Sequence, residues 1–154
     1  MDGKAGRLVA LLKERGLTIT AAESCTGGRI AAAITAIPGS SAVFPGSLVT
    51  YCNAVKHRVL GVPQDLLDEY GAVSEPVARA MAAQAAQVME TDLALSATGL
   101  AGPDGDGREP VGTVYLGLYA GGEGTCERHV FSGDRAAVQR QATERAVELA
   151  LAWL

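Results

Sequence analysis

Apolar and polar positions along the chain alternate between two rhythms, one of helical and one of strand spacing. Over Lys4–Arg15 the residues Leu8, Leu11 and Leu12 recur at helical spacing, and Gly16 follows as the residue type that tolerates a left-handed C′ position. Leu17–Ala22 then reads as a short β-run through Thr18, Ile19 and Thr20, and Arg29–Ile37 reads as a helix. Phe44–Tyr51 predicts a second strand, interrupted early by Pro45 and Gly46. Asn53 is placed to cap a helix over Ala54–Leu60, and Pro63–Tyr70 predicts another that Gly71 closes. Ser74 before Glu75-Pro76 opens a long alanine-rich helix to Glu90, suited to close packing on a sheet.

The later part changes character. Asp92–Thr98 is a short continuous apolar run, the pattern of a central strand buried on both faces. A glycine-rich loop covers Gly99–Gly112. Thr113–Tyr119 and Thr125–Phe131 alternate as strands, with Gly121-Gly122-Glu123-Gly124 marking a hairpin between them. Asp134–Leu154 is a closing helix whose Val138, Ala142, Ala146, Leu149 and Trp153 share one face. Strands alternating with helices, then a hairpin and a final helix, predict a three-layer α/β/α domain on a mixed sheet. The 154 residues fit one such domain over 1–154.

Composition narrows the function classes. The net charge is -4, and no stripe of Lys and Arg provides the electrostatic footprint of a nucleic-acid binder. Met1–Gly6 lacks the apolar core of a signal peptide, and no run of about 18 apolar residues predicts a membrane span. Cys25, Cys52 and Cys126 are an odd set without paired spacing, which favours a reduced, cytoplasmic protein over a disulfide framework. There is no C-x-x-C or H-E-x-x-H, so a metal site has little support.

Four segments offer chemistry. In Ala22-Glu23-Ser24-Cys25-Thr26-Gly27-Gly28, a serine stands where a strand turns into a helix and amides point outward. Such a turn serves a nucleophile with oxyanion donors, a phosphate cradle, or a plain helix cap through Ser24 or Thr26. In Thr50-Tyr51-Cys52-Asn53-Ala54-Val55-Lys56, Lys56 is either a solvated helix lysine or, if desolvated, a base for the serine. His57 projects about 100° away from it. Tyr51 either relays a proton, holds the lysine, or is a plain sheet tyrosine. The third segment, Thr98-Gly99-Leu100-Ala101-Gly102-Pro103-Asp104-Gly105, leaves the predicted central strand, where open α/β sheets place ligands. There Thr98 offers a hydroxyl, and Gly99 lets a ligand approach the backbone. In Phe131-Ser132-Gly133-Asp134-Arg135, Arg135 falls on the buried face of the last helix, which demands a protein carboxylate or a ligand phosphate, while Arg140 falls on the surface.

Taken in order, these segments with Gly71-Ala72-Val73-Ser74-Glu75-Pro76-Val77 and Pro110-Val111-Gly112-Thr113-Val114 resemble the CinA C-terminal domain family, the nicotinamide mononucleotide deamidases, in its stand-alone form. The resemblance spans nearly the whole chain. It implies an α/β/α fold, hydrolysis of the carboxamide of nicotinamide mononucleotide to nicotinate mononucleotide and ammonia, no metal or other cofactor, and a homodimer or higher homo-oligomer. It also implies Ser24 as nucleophile, Lys56 as its activator with Tyr51 nearby, and Thr26, Gly27, Gly28, Thr98, Gly99 and Arg135 as the substrate site. A nucleotide-binding regulatory module of the same fold without turnover is the alternative.

Overall fold

A computed structural model describes all residues, 1–154. Its frame is one five-stranded sheet in the order β2-β1-β3-β4-β5. Strand β1 (Ile19–Glu23) pairs in parallel with β2 (Leu48–Val49) on one side and with β3 (Leu93–Gly99) on the other. Strands β4 (Thr113–Ala120) and β5 (Glu123–Val130) extend the sheet in antiparallel fashion. The sheet is therefore mixed, as the alternating pattern predicts. β1 is buried throughout and β3 nearly so, because helices cover both faces. The β4–β5 turn is Gly121-Gly122, with φ of 61° and 79°. Two consecutive positive φ values are what a tight two-residue hairpin requires.

One face of the sheet carries α1 (Asp2–Arg15), α2 (Arg29–Thr35) and α6 (Arg135–Trp153), which enclose the larger core around Leu8, Leu12, Ile30, Leu95, Leu116 and Val147. The other face carries α5 (Glu75–Met89), with α4 (Gln64–Tyr70) beside it, over a smaller core of Leu60, Val62, Val77, Met81, Ala85 and Ala94. The alanines of α5 bring it close to the sheet, as their density suggests. At the contact with β4, a Cβ on Gly117 would lie 2.7 Å from the Ala78 carbonyl oxygen and collide with Ser96 Oγ. No helix is long and apolar enough to cross a membrane.

Three local expectations change. The strand expected over Phe44–Tyr51 shrinks to Leu48–Val49, because Val43 and Phe44 turn into the core after a 3₁₀ turn at Ser40–Ala42. Pro45, which follows, brings no N–H for a ladder. Asn53 does not cap α3 (Asn53–Arg58), whose cap position Cys52 occupies; Ser74 does hold the cap position of α5, but its Oγ donates to the Gly71 carbonyl and makes no bond to a helix amide. On α6, Trp153 is 45% exposed rather than part of the buried face, since as the last helical residue it lies beside the Gly121 turn. Asp134 does cap α6, accepting from the Ala137 amide at 2.9 Å.

Candidate active site

The β1–α2–β2 connection crosses one face of the sheet and the β2–α5–β3 connection the other. The C-terminal ends of β1 and β3 therefore face a crevice where the winding reverses, the place where such sheets receive ligands. Ser24 leaves β1 there, its amide donating to the Ala97 carbonyl of β3 at 2.8 Å. Gly99, Leu100, Ala101 and Gly102 leave β3 on the opposite wall. With Cys25, Tyr51, Asp104 and Arg135 they line a cleft of about 190 Å³.

Lys56 reaches Ser24 from below. Its amine lies 2.9 Å from Ser24 Oγ and donates to the Thr50 carbonyl at 2.9 Å, and the side chain is 1% exposed. No carboxylate pairs with it. Burial penalises its charged form and holds the ammonium pKa below the ordinary 10.5. A buried amine of lowered pKa against a serine hydroxyl has the geometry that a base–nucleophile pair requires. His57, one residue on, points away and bonds the Val62 carbonyl through Nδ1.

Cys25 also lines the cleft, although adjacent residues rarely share one. Burial pushes its thiol up to about 12, against the pull of its own amide and that of Thr26, so the thiol stays protonated at neutral pH and is a poor rival nucleophile. The amides of Cys25 and Thr26 bond no carbonyl of the protein; both lie against the Cys25 thiol, and Thr26 is fully buried.

The turn after Ser24 is built around Glu23, a residue to which the sequence reading assigns no role. Its carboxylate is fully buried and accepts from the amides of Gly28 (3.2 Å), Ile30 (2.9 Å) and Ala31 (3.0 Å). These are the unpaired donors that begin α2. An acidic residue at the strand end, five to eight positions before those amides, is the signal that could have revealed it. The arrangement bears on Gly27 and Gly28, expected to meet the substrate. The Gly28 amide is engaged by Glu23 and the Gly27 amide by the Ser24 carbonyl, and neither residue lines the cleft. Their part is conformational: φ of 56° and 100° lets the chain turn into α2. Thr26 is fully buried, and its hydroxyl has no partner.

Thr98 is likewise buried behind the wall, donating to the Ala72 carbonyl at 2.8 Å, whereas Gly99 next to it does line the cleft. Tyr51 does not touch Lys56; it is 58% exposed, and its hydroxyl accepts from Arg135. Arg135, expected on the buried face of α6, sits exposed as the first residue of that helix. Its other donor bonds the Gly102 carbonyl at 2.7 Å, and no carboxylate pairs with it. A guanidinium held by a phenol and a carbonyl at a cleft rim keeps its charge available to an anion. Arg140 is exposed, as expected. No group of three or more His, Cys, Asp or Glu side chains is placed to hold a metal ion.

Comparison with known proteins places this geometry. A CinA-like protein of Citrifermentans bemidjiense is 58% identical over 134 residues, 86% of this chain and 32% of that protein. The nicotinamide-nucleotide amidohydrolase PncC of Escherichia coli is 52% identical over 139 residues, 89% of this chain and 84% of that protein. The chain thus spans about a third of the length of that CinA-like relative and most of the length of the amidohydrolase. Among solved structures, a competence-damaged protein (CinA) superfamily protein from Escherichia coli superposes with a TM-score of 0.97 at 32% identity, over 99% of this chain and 90% of that one. A competence/damage inducible protein from Agrobacterium tumefaciens gives 0.91 at 37% identity, over 98% of this chain and 93% of that one. The sequence model of the CinA C-terminal domain matches residues 2–154, and the chain belongs to that family.

Proposed function

We propose that the protein is an amidohydrolase that converts nicotinamide mononucleotide to nicotinate mononucleotide and ammonia, with Ser24 as nucleophile and Lys56 as general base. The observation that carries the reading is the buried, carboxylate-free amine 2.9 Å from Ser24 Oγ at the floor of the cleft. The amidohydrolase relative that is 52% identical over most of both chains supports the substrate.

In the neutral amine, one N–H still donates to the Thr50 carbonyl while the lone pair accepts the Ser24 proton. Oγ attacks the carboxamide carbon, and the carbonyl electron pair moves onto oxygen. The amide of Cys25, which lines the cleft, is the donor for that oxyanion, in place of Gly27 and Gly28. Collapse breaks the C–N bond as the Lys56 ammonium returns its proton to the leaving nitrogen, releasing ammonia. Water then attacks the acyl-enzyme with Lys56 as base, and the proton passes back to Ser24 Oγ. Arg135, steadied by Tyr51 and the Gly102 carbonyl, meets the nucleotide phosphate. Thr98 stiffens the wall through Ala72 rather than touching substrate. No step is routed through a metal.

Ammonia release from nicotinamide mononucleotide, with and without a chelator, is the test. Release is expected in both conditions and lost in Ser24→Ala, whose melting curve stays close to wild type. Undiminished release in Ser24→Ala refutes the nucleophile, and loss under chelator refutes the metal-free route. Thermal stabilisation by the nucleotide without any ammonia would identify the regulatory alternative. The same reading makes the protein a cytoplasmic homodimer or higher homo-oligomer, and sedimentation of the purified chain tests the assembly.

A further inference from the structure

Three acidic residues stand on the loop from β3 to β4, and the fold makes use of two of them. Asp106 accepts from the amides of Arg108 and Glu109, both at 2.9 Å. Glu109 accepts from the Tyr115 hydroxyl at 2.8 Å and from Arg128 at 2.7 Å. Asp104 is the exception. It is exposed, its carboxylate accepts no hydrogen bond from the protein, and it pairs with no cation. It is also the one acid of the three that lines the cleft with Ser24.

The charges of that cleft are few. Cys25 keeps its proton at neutral pH, because burial pushes its thiol up to about 12. Glu23, behind the turn, has given its carboxylate to the amides of Gly28, Ile30 and Ala31. What remains among the lining residues is one carboxylate, Asp104, and one guanidinium, Arg135. The two do not neutralise each other. Arg135 bonds the Gly102 carbonyl, two residues before Asp104, and turns another donor to Tyr51, with no ion pair to Asp104. Opposite charges left unpaired in one cleft favour a ligand that carries both signs.

Nicotinamide mononucleotide is such a ligand. Its ring nitrogen is bonded to ribose and bears a formal positive charge, and its phosphate is anionic. With the phosphate on Arg135, the ring cation is left for Asp104. We propose that Asp104 is a specificity-determining residue: its carboxylate faces the pyridinium of the substrate and selects positively charged, N-ribosylated pyridine carboxamides over uncharged ones. The proposal rests on the reading of nicotinamide mononucleotide as substrate, so its test measures binding apart from turnover.

The experiment is calorimetric titration of Ser24→Ala protein with nicotinamide mononucleotide and with its reduced 1,4-dihydro form. The two share carboxamide, ribose and phosphate, and only the first carries a ring charge. Adding Asp104→Asn, which keeps the shape and removes the charge, weakens nicotinamide mononucleotide by about threefold to fivefold, the upper range for an ion pair open to water, and leaves the dihydro form nearly unchanged. Crossing variant with ligand cancels any general effect of the substitution. Asp104→Glu keeps the charge and retains most of the preference. Added salt shrinks the preference in protein with Asp104 and not in Asp104→Asn. With Ser24 intact, Asp104→Asn raises KM for nicotinamide mononucleotide by the same factor. Should Asp104→Asn misfold, Asp104→Ser also removes the charge and gives the same shift.

Equal weakening of both ligands assigns Asp104 to the ribose hydroxyls or to the shape of the loop and overturns the proposal, as does no change in either. Protein that binds both ligands while wild type releases no ammonia refutes turnover alone; the ratio of affinities then still decides the role of Asp104. Protein that binds neither removes the substrate reading, and this proposal with it.

Discussion

Truncating Glu23 to alanine removes a carboxylate that three buried or half-buried amides share, and the cost can be worked from the contacts. Two of the bonds are short, from Ile30 at 2.9 Å and Ala31 at 3.0 Å, while the third, from Gly28 at 3.2 Å, is longer. A hydrogen bond to a charged group contributes about 1.5–3 kcal/mol net, so the two short bonds amount to roughly 3–6 kcal/mol. Relief of the burial cost of the carboxylate offsets part of this, which puts Glu23→Ala near the lower figure. For a domain of this size about 1 kcal/mol moves Tm by about 2–4 °C, so a fall of about 10 °C is expected. Glu23→Gln keeps the shape and one acceptor but turns an NH₂ toward amide donors. Loss of one bond then lowers Tm by about 5 °C. Urea unfolding and thermal melts followed by circular dichroism measure both variants. At 25 °C, where Glu23→Gln remains folded, turnover drops as well, because Glu23 adjoins Ser24 and its bonds set the path of the turn. A Glu23→Ala protein within about 1 kcal/mol of wild type would refute the claim that this carboxylate clamps β1 to α2.

Further outcomes follow from other contacts. Because burial lowers the Lys56 pKa, kcat/KM should rise with pH through that lowered value and reach its plateau below pH 10.5. In the same window the unfolded chain binds the extra proton. The stability of wild type relative to Lys56→Met is therefore lowest on the acid side and recovers as pH approaches 10.5, which melts across pH check. Glu127 is gripped by Arg145 through two bonds of 2.9 and 2.7 Å, which pull its carboxyl down to about 2 against the opposing effect of burial, with His129 assisting. Its contribution is present above pH 4.5 and lost as pH falls through about 2, so Glu127→Gln should lower Tm at pH 7 by about 2–4 °C, given a screened pair of about 1 kcal/mol, with the gap closing in acid. Gly117→Ala drives a methyl against the Ala78 carbonyl and Ser96 Oγ, and denaturant titration should show a loss of about 1–3 kcal/mol.

Several features of this protein are determined by sequence near at hand. The continuous apolar run of β3 marks a strand buried on both faces, and Asp134 marks the start of α6, because burial pattern and capping depend on residues within a turn or two. The Gly-Gly step of the hairpin needs only its own two residues to dictate the turn. Ser24 and Lys56 are likewise legible from their segments and the family those segments resemble, and the direction of Lys56 away from His57 follows from helical period alone. What only the tertiary structure decided are relations between distant segments. Tyr51 bonds Arg135 instead of Lys56, Arg135 stands at the rim instead of in the core, and Gly28 gives its amide to Glu23 instead of to a ligand. Trp153 stays half-exposed, and the strand expected over Phe44–Tyr51 keeps two residues. Gln139 meets Cys25 across 114 positions. Local patterning specifies which face of an element is buried. Where that face ends, and which polar group lies opposite it, depend on how long neighbouring elements are and how closely they pack, and no single segment carries that information.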